Sequence, residues 1–211
     1  MANRHLEKVW MYRQAEERST RDWDLGRNFA VRLGDMALVG LDTAEDKLDT
    51  NPIFAGIFKS KEYREAQTAW LRDALARPEI ASAPYLVAFC HIPLFDDDPH
   101  HNPGDVAPAD YDPQYTTDYA YWQRTCHDMW SPLLEEAGCQ LLITAHIHRY
   151  RYYAPGPDHS WGQLVGGGPR MREPDYPTVV EGWTDQDALR IRVHNIFSGE
   201  VQDELAFSPR I

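Results

Sequence analysis

Three short apolar runs, separated by helical patterns, restrict the folds open to this chain more than any other feature of its sequence. The runs cover 36–41, 85–90 and 140–145, and each is too short for an ordinary helix. Apolar residues at helical spacing over 60–75 separate the first two runs, and a helix predicted over 130–137 precedes the third. A strand, a crossover helix and a second strand predict parallel neighbours in one α/β sheet.

The other segments carry weaker signals, which we interpret from turn residues and spacing. In chain order they predict a helix over 4–17, a loop over 16–27, a strand over 29–33 that turns at Gly34-Asp35, a helix end at Pro78 and a loop over 96–121. The tail is predicted to add antiparallel strands over 161–165, 178–181, 189–197 and 201–207.

Composition excludes some classes of function. With 211 residues, of which 43% are hydrophobic, the chain can bury the core of one domain. Its net charge of -12 argues against nucleic-acid binding through a basic face, and no apolar run approaches the roughly 20 residues that a membrane-spanning helix needs. Cys90 and Cys139 lie in apolar runs without C-x-x-C spacing, which predicts buried reduced thiols and leaves the compartment undetermined.

Three histidines follow buried strands, at the edge of the sheet where α/β proteins form their sites. His91 comes directly after the second apolar run, and His146 and His148 come directly after the third. In an extended segment, residues two apart point to the same side, so both histidines of the pair would face one site while Ile147 packs inward. Imidazoles bind Zn, Fe or Mn, and this placement favours metal ligation over three unrelated histidines.

These segments together resemble the closing half of the calcineurin-like metallophosphoesterases, including the purple acid phosphatases. The most specific element is His146-Ile147-His148, which resembles the family motif G-H-x-H, and the resemblance covers about residues 28–170. The matching segments, in chain order, are a strand over 37–43, a helix over 62–75, the strand end His91-Ile92-Pro93, a helix end over 135–139, the strand and histidine pair over 141–150 and a glycine turn over 166–168.

The resemblance implies a fold, a cofactor and an activity. The fold would be α/β, a four-layer αββα sandwich with mixed sheets. His91 and His146 would bind the second metal of a pair and His148 the first, with Mn, Fe or Zn as the metals. The implied activity is hydrolysis of a phosphate ester by a metal-activated hydroxide.

The sequence departs from the family pattern in two respects. Ala145 replaces the glycine of G-H-x-H, which is a substitution of one small residue by another. The family motifs D-x-H, G-D-x-x-D and G-N-H, which supply the bridging aspartate and the acid histidine, do not occur before Phe29. We therefore expect 1–211 to be the C-terminal portion of a single metallophosphoesterase domain whose N-terminal strands are missing. Such a fragment would bind one metal or none and would have little or no activity.

Two alternatives stay open. The first is a metalloprotein of another fold that binds one metal through its histidines, although the parallel strand pattern disfavours a cupin-like barrel. The second is a non-catalytic fragment that associates with itself through an exposed sheet edge, which an incomplete sheet would leave uncovered.

Overall fold

The computed structural model describes residues 21–22, 28–43, 60–96, 119–168, 176–185 and 187–210. The helix predicted over 4–17 and most of the loop predicted over 96–121 lie outside these residues. The strands are β1 (Arg21–Asp22), β2 (Phe29–Leu33), β3 (Met36–Gly40), β4 (Tyr85–Phe89), β5 (Leu141–Thr144), β6 (Arg151–Tyr153), β7 (Gly162–Val165), β8 (Thr178–Thr184), β9 (Leu189–Asn195) and β10 (Val201–Phe207). The helices are α1 (Ser60–Leu75), α2 (Pro78–Ala81) and α3 (Tyr119–Glu136).

The larger sheet has seven strands in the order β1-β2-β3-β4-β5-β7-β6. Strands β3, β4, β5 and β7 run parallel to one another, whereas β1, β2 and β6 are antiparallel to their neighbours. The prediction of parallel neighbours for the three apolar runs is therefore confirmed. As a consequence, the chain leaves β3, β4, β5 and β7 at the same edge of the sheet.

Both faces of this sheet are covered, which explains why the central strands have no polar alternation. On one face, strand residues such as Leu86 and Leu142 pack against Leu71 of α1 and Trp130 of α3. The other face packs against a three-stranded antiparallel sheet in the order β10-β9-β8. Its contacts join Tyr85, Val87, Leu141 and Leu164 of the larger sheet to Leu189, Ile191 and Val193 of β9.

The structure corrects the predicted tail. The run over 161–165 forms β7, which lies in the larger sheet, parallel to β5 and antiparallel to β6, and does not join the later strands of the tail. Strand β6, Arg151–Tyr153, was not predicted, because three residues of mixed polarity carry no periodic signal. The stretch over 16–27 contains the two-residue strand β1, which pairs with β2 at the sheet edge.

The structure also corrects two helix boundaries. Helix α3 begins at Tyr119, well before the predicted start at 130 and inside the predicted loop. Its buried stripe consists of Trp122, Cys126, Trp130 and Leu134, spaced four residues apart, and this spacing was the available signal. Pro78 begins the short helix α2 instead of only ending α1, because proline fits the first turn of a helix.

The three cysteines are free and buried, as predicted for Cys90 and Cys139. Burial raises the pKa of the Cys126 thiol to about 11 and that of the Cys139 thiol to about 12. Reactive thiols need a low pKa, so these two are structural. Among the helices of the described ranges, none is long and apolar enough to cross a membrane.

Candidate metal-binding site

Backbone hydrogen bonds hold the loops together where the parallel strands end. The Leu41 amide donates to the Phe89 carbonyl at 2.8 Å, and the Cys90 amide donates to the Ile143 carbonyl at 3.1 Å. Because the pairing continues past each strand end, the segments after β3, β4 and β5 lie side by side. This edge therefore receives the residues that follow the three apolar runs.

His91 and His146 meet at this edge. His146 Nδ1 lies 3.1 Å from His91 Nε2, within hydrogen-bond distance. The two rings are 5.0 Å apart between centroids and stand at 89° to each other. The backbones are also joined, since the Ala145 amide donates to the His91 carbonyl at 3.0 Å. His91 is exposed and His146 is half-buried, so solvent and ions can reach the pair.

The backbone around His146 is not extended, contrary to the geometry assumed from the H-x-H spacing. The Ile147 amide donates to the Ala145 carbonyl at 2.8 Å, which closes a γ-turn centred on His146. His146 has a φ of 63° and His148 a φ of 56°, both in the left-handed region. His146 and His148 therefore do not share a side in the way that alternate residues of a strand do. Ile147 does pack inward, against Ile92 and Trp122, as predicted.

His148 occupies a different setting from the other two histidines. Its side chain is exposed, and its backbone lies against the glycine turn that follows β7. A Cβ placed on Gly168 would be 2.4 Å from the Cβ of His148, so no other residue fits there without a shift. The ligand role assigned to His148 stays a prediction.

A short hydrogen bond anchors the end of the histidine loop. The Tyr150 hydroxyl donates to Asp203 Oδ2 at 2.5 Å, which ties this loop to β10. Burial raises the pKa of Tyr150, and the hydrogen bond to Asp203 raises it further, so the phenol keeps its proton. Asp203 lies at a register shift in the pairing of β10 with β9. Such a shift often changes the direction in which a side chain points.

The dinuclear centre that the family resemblance implies needs more ligands than the two facing histidines provide. Two facing imidazoles are suitable ligands for one transition metal. A pair of metals needs further ligands, including a bridging carboxylate. Within the described ranges, no three His, Cys, Asp or Glu side chains form a group that could hold a metal ion. On their own, the described residues therefore do not supply all the ligands of a dinuclear centre.

The left-handed backbone at His146 leads to a prediction about stability. A left-handed conformation costs an L-residue about 1–2 kcal/mol and costs glycine nothing comparable. We expect His146→Gly to be more stable than His146→Ala by roughly 1 kcal/mol in urea unfolding.

The control for this comparison uses His194, which lies inside strand β9. There, His194→Gly should be less stable than His194→Ala, because glycine loses more backbone entropy on entering a strand. If glycine were the worse substitution at both positions, the strain inferred at His146 would be absent.

Comparison with known proteins identifies the fold. No protein-family model matches the sequence, and no curated protein matches it. Purple acid phosphatase PPD1 from yellow lupin seeds superposes with a TM-score of 0.56 at 11% identity, over 89% of this chain and 34% of that chain. The fold is a metallophosphoesterase-like sandwich. GAP50, described as the anchor in the inner membrane complex of Plasmodium, superposes with a TM-score of 0.53 at 12% identity, over 92% of this chain and 54% of that one.

The chain matches only part of each of these structures. The chain spans 34% of the length of the phosphatase and 54% of the length of the anchor protein. At identities of 11% and 12%, this likeness describes the fold and does not extend to activity or ligands.

Sequence reasoning missed the polar residues that support the histidine edge of the sandwich. Thr43, Arg64 and Gln67 are buried beneath it. A signal existed on α1, where Arg64 and Gln67 continue the buried stripe of Leu71 and Ala74 at helical spacing. Polar residues on the buried side of a helix need hydrogen-bond partners, and here the partners lie in the loop after β3.

Proposed function

We propose that this chain is the C-terminal portion of a metallophosphoesterase, and that the intact domain hydrolyses a phosphate ester in a metal-dependent reaction. The observation that carries the proposal is the contact between His91 and His146 at the carboxyl edge of a metallophosphoesterase-like sandwich. Such an edge is the usual place for a site in an α/β sheet. The chain alone is expected to have little or no activity.

In this proposal the chain contributes ligands and the shape of one side of the site. His91 and His146 would hold one metal and His148 would reach the other, while the bridging aspartate and the acid histidine would come from polypeptide upstream of these residues. Mn, Fe or Zn would suit imidazole and carboxylate ligands. Bound to the intact domain, such metals would supply an activated hydroxide and clamp the phosphate oxygens.

The test compares this chain with a version extended by upstream polypeptide that carries D-x-H, G-D-x-x-D and G-N-H. Both are assayed with p-nitrophenyl phosphate in Mn or Zn. We expect turnover from the extended protein and little or none from residues 1–211. In the extended protein, His91→Ala and His146→Ala should each lower kcat/KM by at least about 100-fold, more than the loss of a residue that only supports a ligand.

His127→Ala is the matched control, because His127 lies within α3, beside Asp128, and does not follow a strand of the sheet. Its activity should equal that of the unsubstituted protein. A folded, metal-loaded extended protein without turnover would contradict the proposal. So would full activity in the His91 and His146 variants.

A second candidate function, self-association without catalysis, is favoured by a separate observation. Four exposed apolar residues surround one end of the three-stranded sheet, namely Val179, Ile196, Phe197 and Val201. Val179 and Val201 flank His194 from the two neighbouring strands. In the described part of the chain, β8 and β10 pair only with β9, so each presents an edge.

Self-association is tested by light scattering on the chain as it exists. If this apolar end forms the contact, Phe197→Ser should shift the chain from oligomer to monomer at micromolar concentrations. Leu33→Ser is the matched control, because Leu33 is equally exposed but lies on the β2–β3 hairpin. A monomer at all concentrations would exclude this second function.

A further inference from the structure

Side chains from the first two turns of helix α1 make hydrogen bonds to the loop that follows β3. Gln67 makes two hydrogen bonds to the backbone of Asp42: its Oε1 accepts from the Asp42 amide at 2.9 Å, and its Nε2 donates to the Asp42 carbonyl at 2.6 Å. The Tyr63 hydroxyl donates to the Asp42 carboxylate at 3.1 Å. Asp42 is thus fixed at both its backbone and its side chain.

The next residue, Thr43, is held from the same helix. Arg64 donates from Nη2 to the Thr43 carbonyl, and its guanidinium carbon lies 3.7 Å from the centroid of a Trp122 ring. Arg64 is fully buried. The contacts with Thr43 and Trp122 place its guanidinium between α1 and α3. The Thr43 carbonyl is therefore held by a side chain that lies between α1 and α3.

The Thr43 side chain connects this contact to the histidine edge. Its Oγ1 accepts a hydrogen bond from the Ile92 amide at 3.2 Å, and both residues are almost completely buried. The amide of Ile92 belongs to the peptide unit that begins at the His91 carbonyl. A hydroxyl on residue 43 therefore fixes the peptide plane directly after His91.

The same peptide unit reaches the second histidine. The His91 carbonyl accepts from the Ala145 amide at 3.0 Å, and the Ala145 carbonyl closes the γ-turn centred on His146. Hydrogen bonds, together with the covalent backbone between them, thus connect Arg64 through Thr43 and His91 to His146. This connection ends at the contact between the two imidazoles.

We propose that Thr43 is a positioning residue, whose buried hydroxyl sets the peptide after His91 so that the His91 and His146 rings meet. The proposal rests on the function proposed above, but the contact between the His91 and His146 rings can be measured without metal or substrate. Its failure and the failure of the phosphoesterase proposal are therefore separate results.

The test uses histidine side-chain 15N NMR on the full chain, at about pH 8.5, where ordinary histidines are neutral. A neutral N–H···N contact between the two rings should give a scalar coupling between His146 Nδ1 and His91 Nε2. Thr43→Val keeps the shape of the side chain and removes its hydroxyl, so the coupling should disappear. Thr43→Ser restores the hydroxyl and should restore the coupling.

Ser131→Ala is the matched control for loss of a buried hydroxyl. Ser131 lies on α3, and its Oγ accepts a hydrogen bond from Trp161 Nε1 at 3.2 Å, the same distance as in the Thr43 contact. This hydroxyl is not part of the connection that ends at the histidines. Ser131→Ala should lower the melting temperature about as much as Thr43→Val and leave the coupling intact. The proposal is overturned if Thr43→Val keeps the coupling, if Ser131→Ala also loses it, or if the unsubstituted chain lacks it.

Discussion

Replacing Trp130 by alanine is expected to destabilise the chain by about 3–5 kcal/mol, because it leaves a large cavity in the core. Trp130 is completely buried where α3 packs against the sheet and α1. Its Nε1 donates to Thr68 Oγ1 at 3.0 Å, which joins the two long helices. Since the free energy of unfolding of a domain is only about 5–15 kcal/mol, the substitution removes a large part of it.

Urea unfolding followed by circular dichroism measures this effect. Trp130→Phe should cost less than Trp130→Ala, because it keeps most of the ring and loses only the hydrogen bond, which is worth about 1 kcal/mol. Trp183→Ala is the surface control, since Trp183 is half-exposed on β8 and lies under Arg192. Equal losses for Trp130→Ala and Trp183→Ala would show that α3 does not pack on the sheet as described.

Raising the pH above about 9 is the second change expected to have a large effect. Burial raises the pKa of Cys126 from 9.0 to about 11 and that of Cys139 from 9.0 to about 12. At a pH between the unfolded and the folded pKa of a thiol, the unfolded chain has lost that proton and the folded chain still holds it. The unfolded state therefore binds fewer protons, and the free energy of unfolding falls as the pH rises.

The size of the effect follows from linkage. Each thiol lowers the free energy of unfolding by about 1.4 kcal/mol per pH unit above its unfolded pKa. The Cys126 contribution stops growing near pH 11 and the Cys139 contribution near pH 12. Below about pH 9 both states hold the protons, so neither thiol changes the stability there.

The measurement is the urea midpoint at several pH values from about 8 to 11, a range that begins below the ordinary thiol pKa and extends above it. In the double variant with Cys126→Ala and Cys139→Ala, the midpoint should fall less steeply with pH than in the unsubstituted chain. An identical slope in both proteins would mean that the two thiols are not buried in the folded state.

The sequence alone predicted the central part of the fold. The three apolar runs became β3, β4 and β5, with α1 over Ser60–Leu75 as predicted. These elements were predictable because their local pattern and their burial agree, since a strand covered on both faces must be apolar at nearly every position. The antiparallel prediction for β7 holds for its pairing with β6 and fails for its pairing with β5, because a short apolar run does not encode whether its partner is parallel.

The candidate site was predictable only in part. The placement of His91 and His146 after buried strands is visible in the sequence, because strand ends at one sheet edge bring distant residues together. Helical spacing places Arg64 on the buried side of α1, but the left-handed backbone at His146 and the hydrogen-bond partners of Thr43 and Arg64 were not visible. A turn closed by contacts with another loop, or a hydroxyl that pairs with a distant amide, has no signature in local spacing.

The sequence by itself therefore determined the layered α/β class, the parallel core of the sheet and the strand-end position of the histidines, because burial imposes local patterns. Only the tertiary structure decided that His91 and His146 touch, that Thr43 joins Arg64 of α1 to the Ile92 amide, and that Tyr150 ties the histidine loop to β10. Those contacts join residues far apart in the chain. Their geometry depends on how whole elements pack, which no single segment specifies.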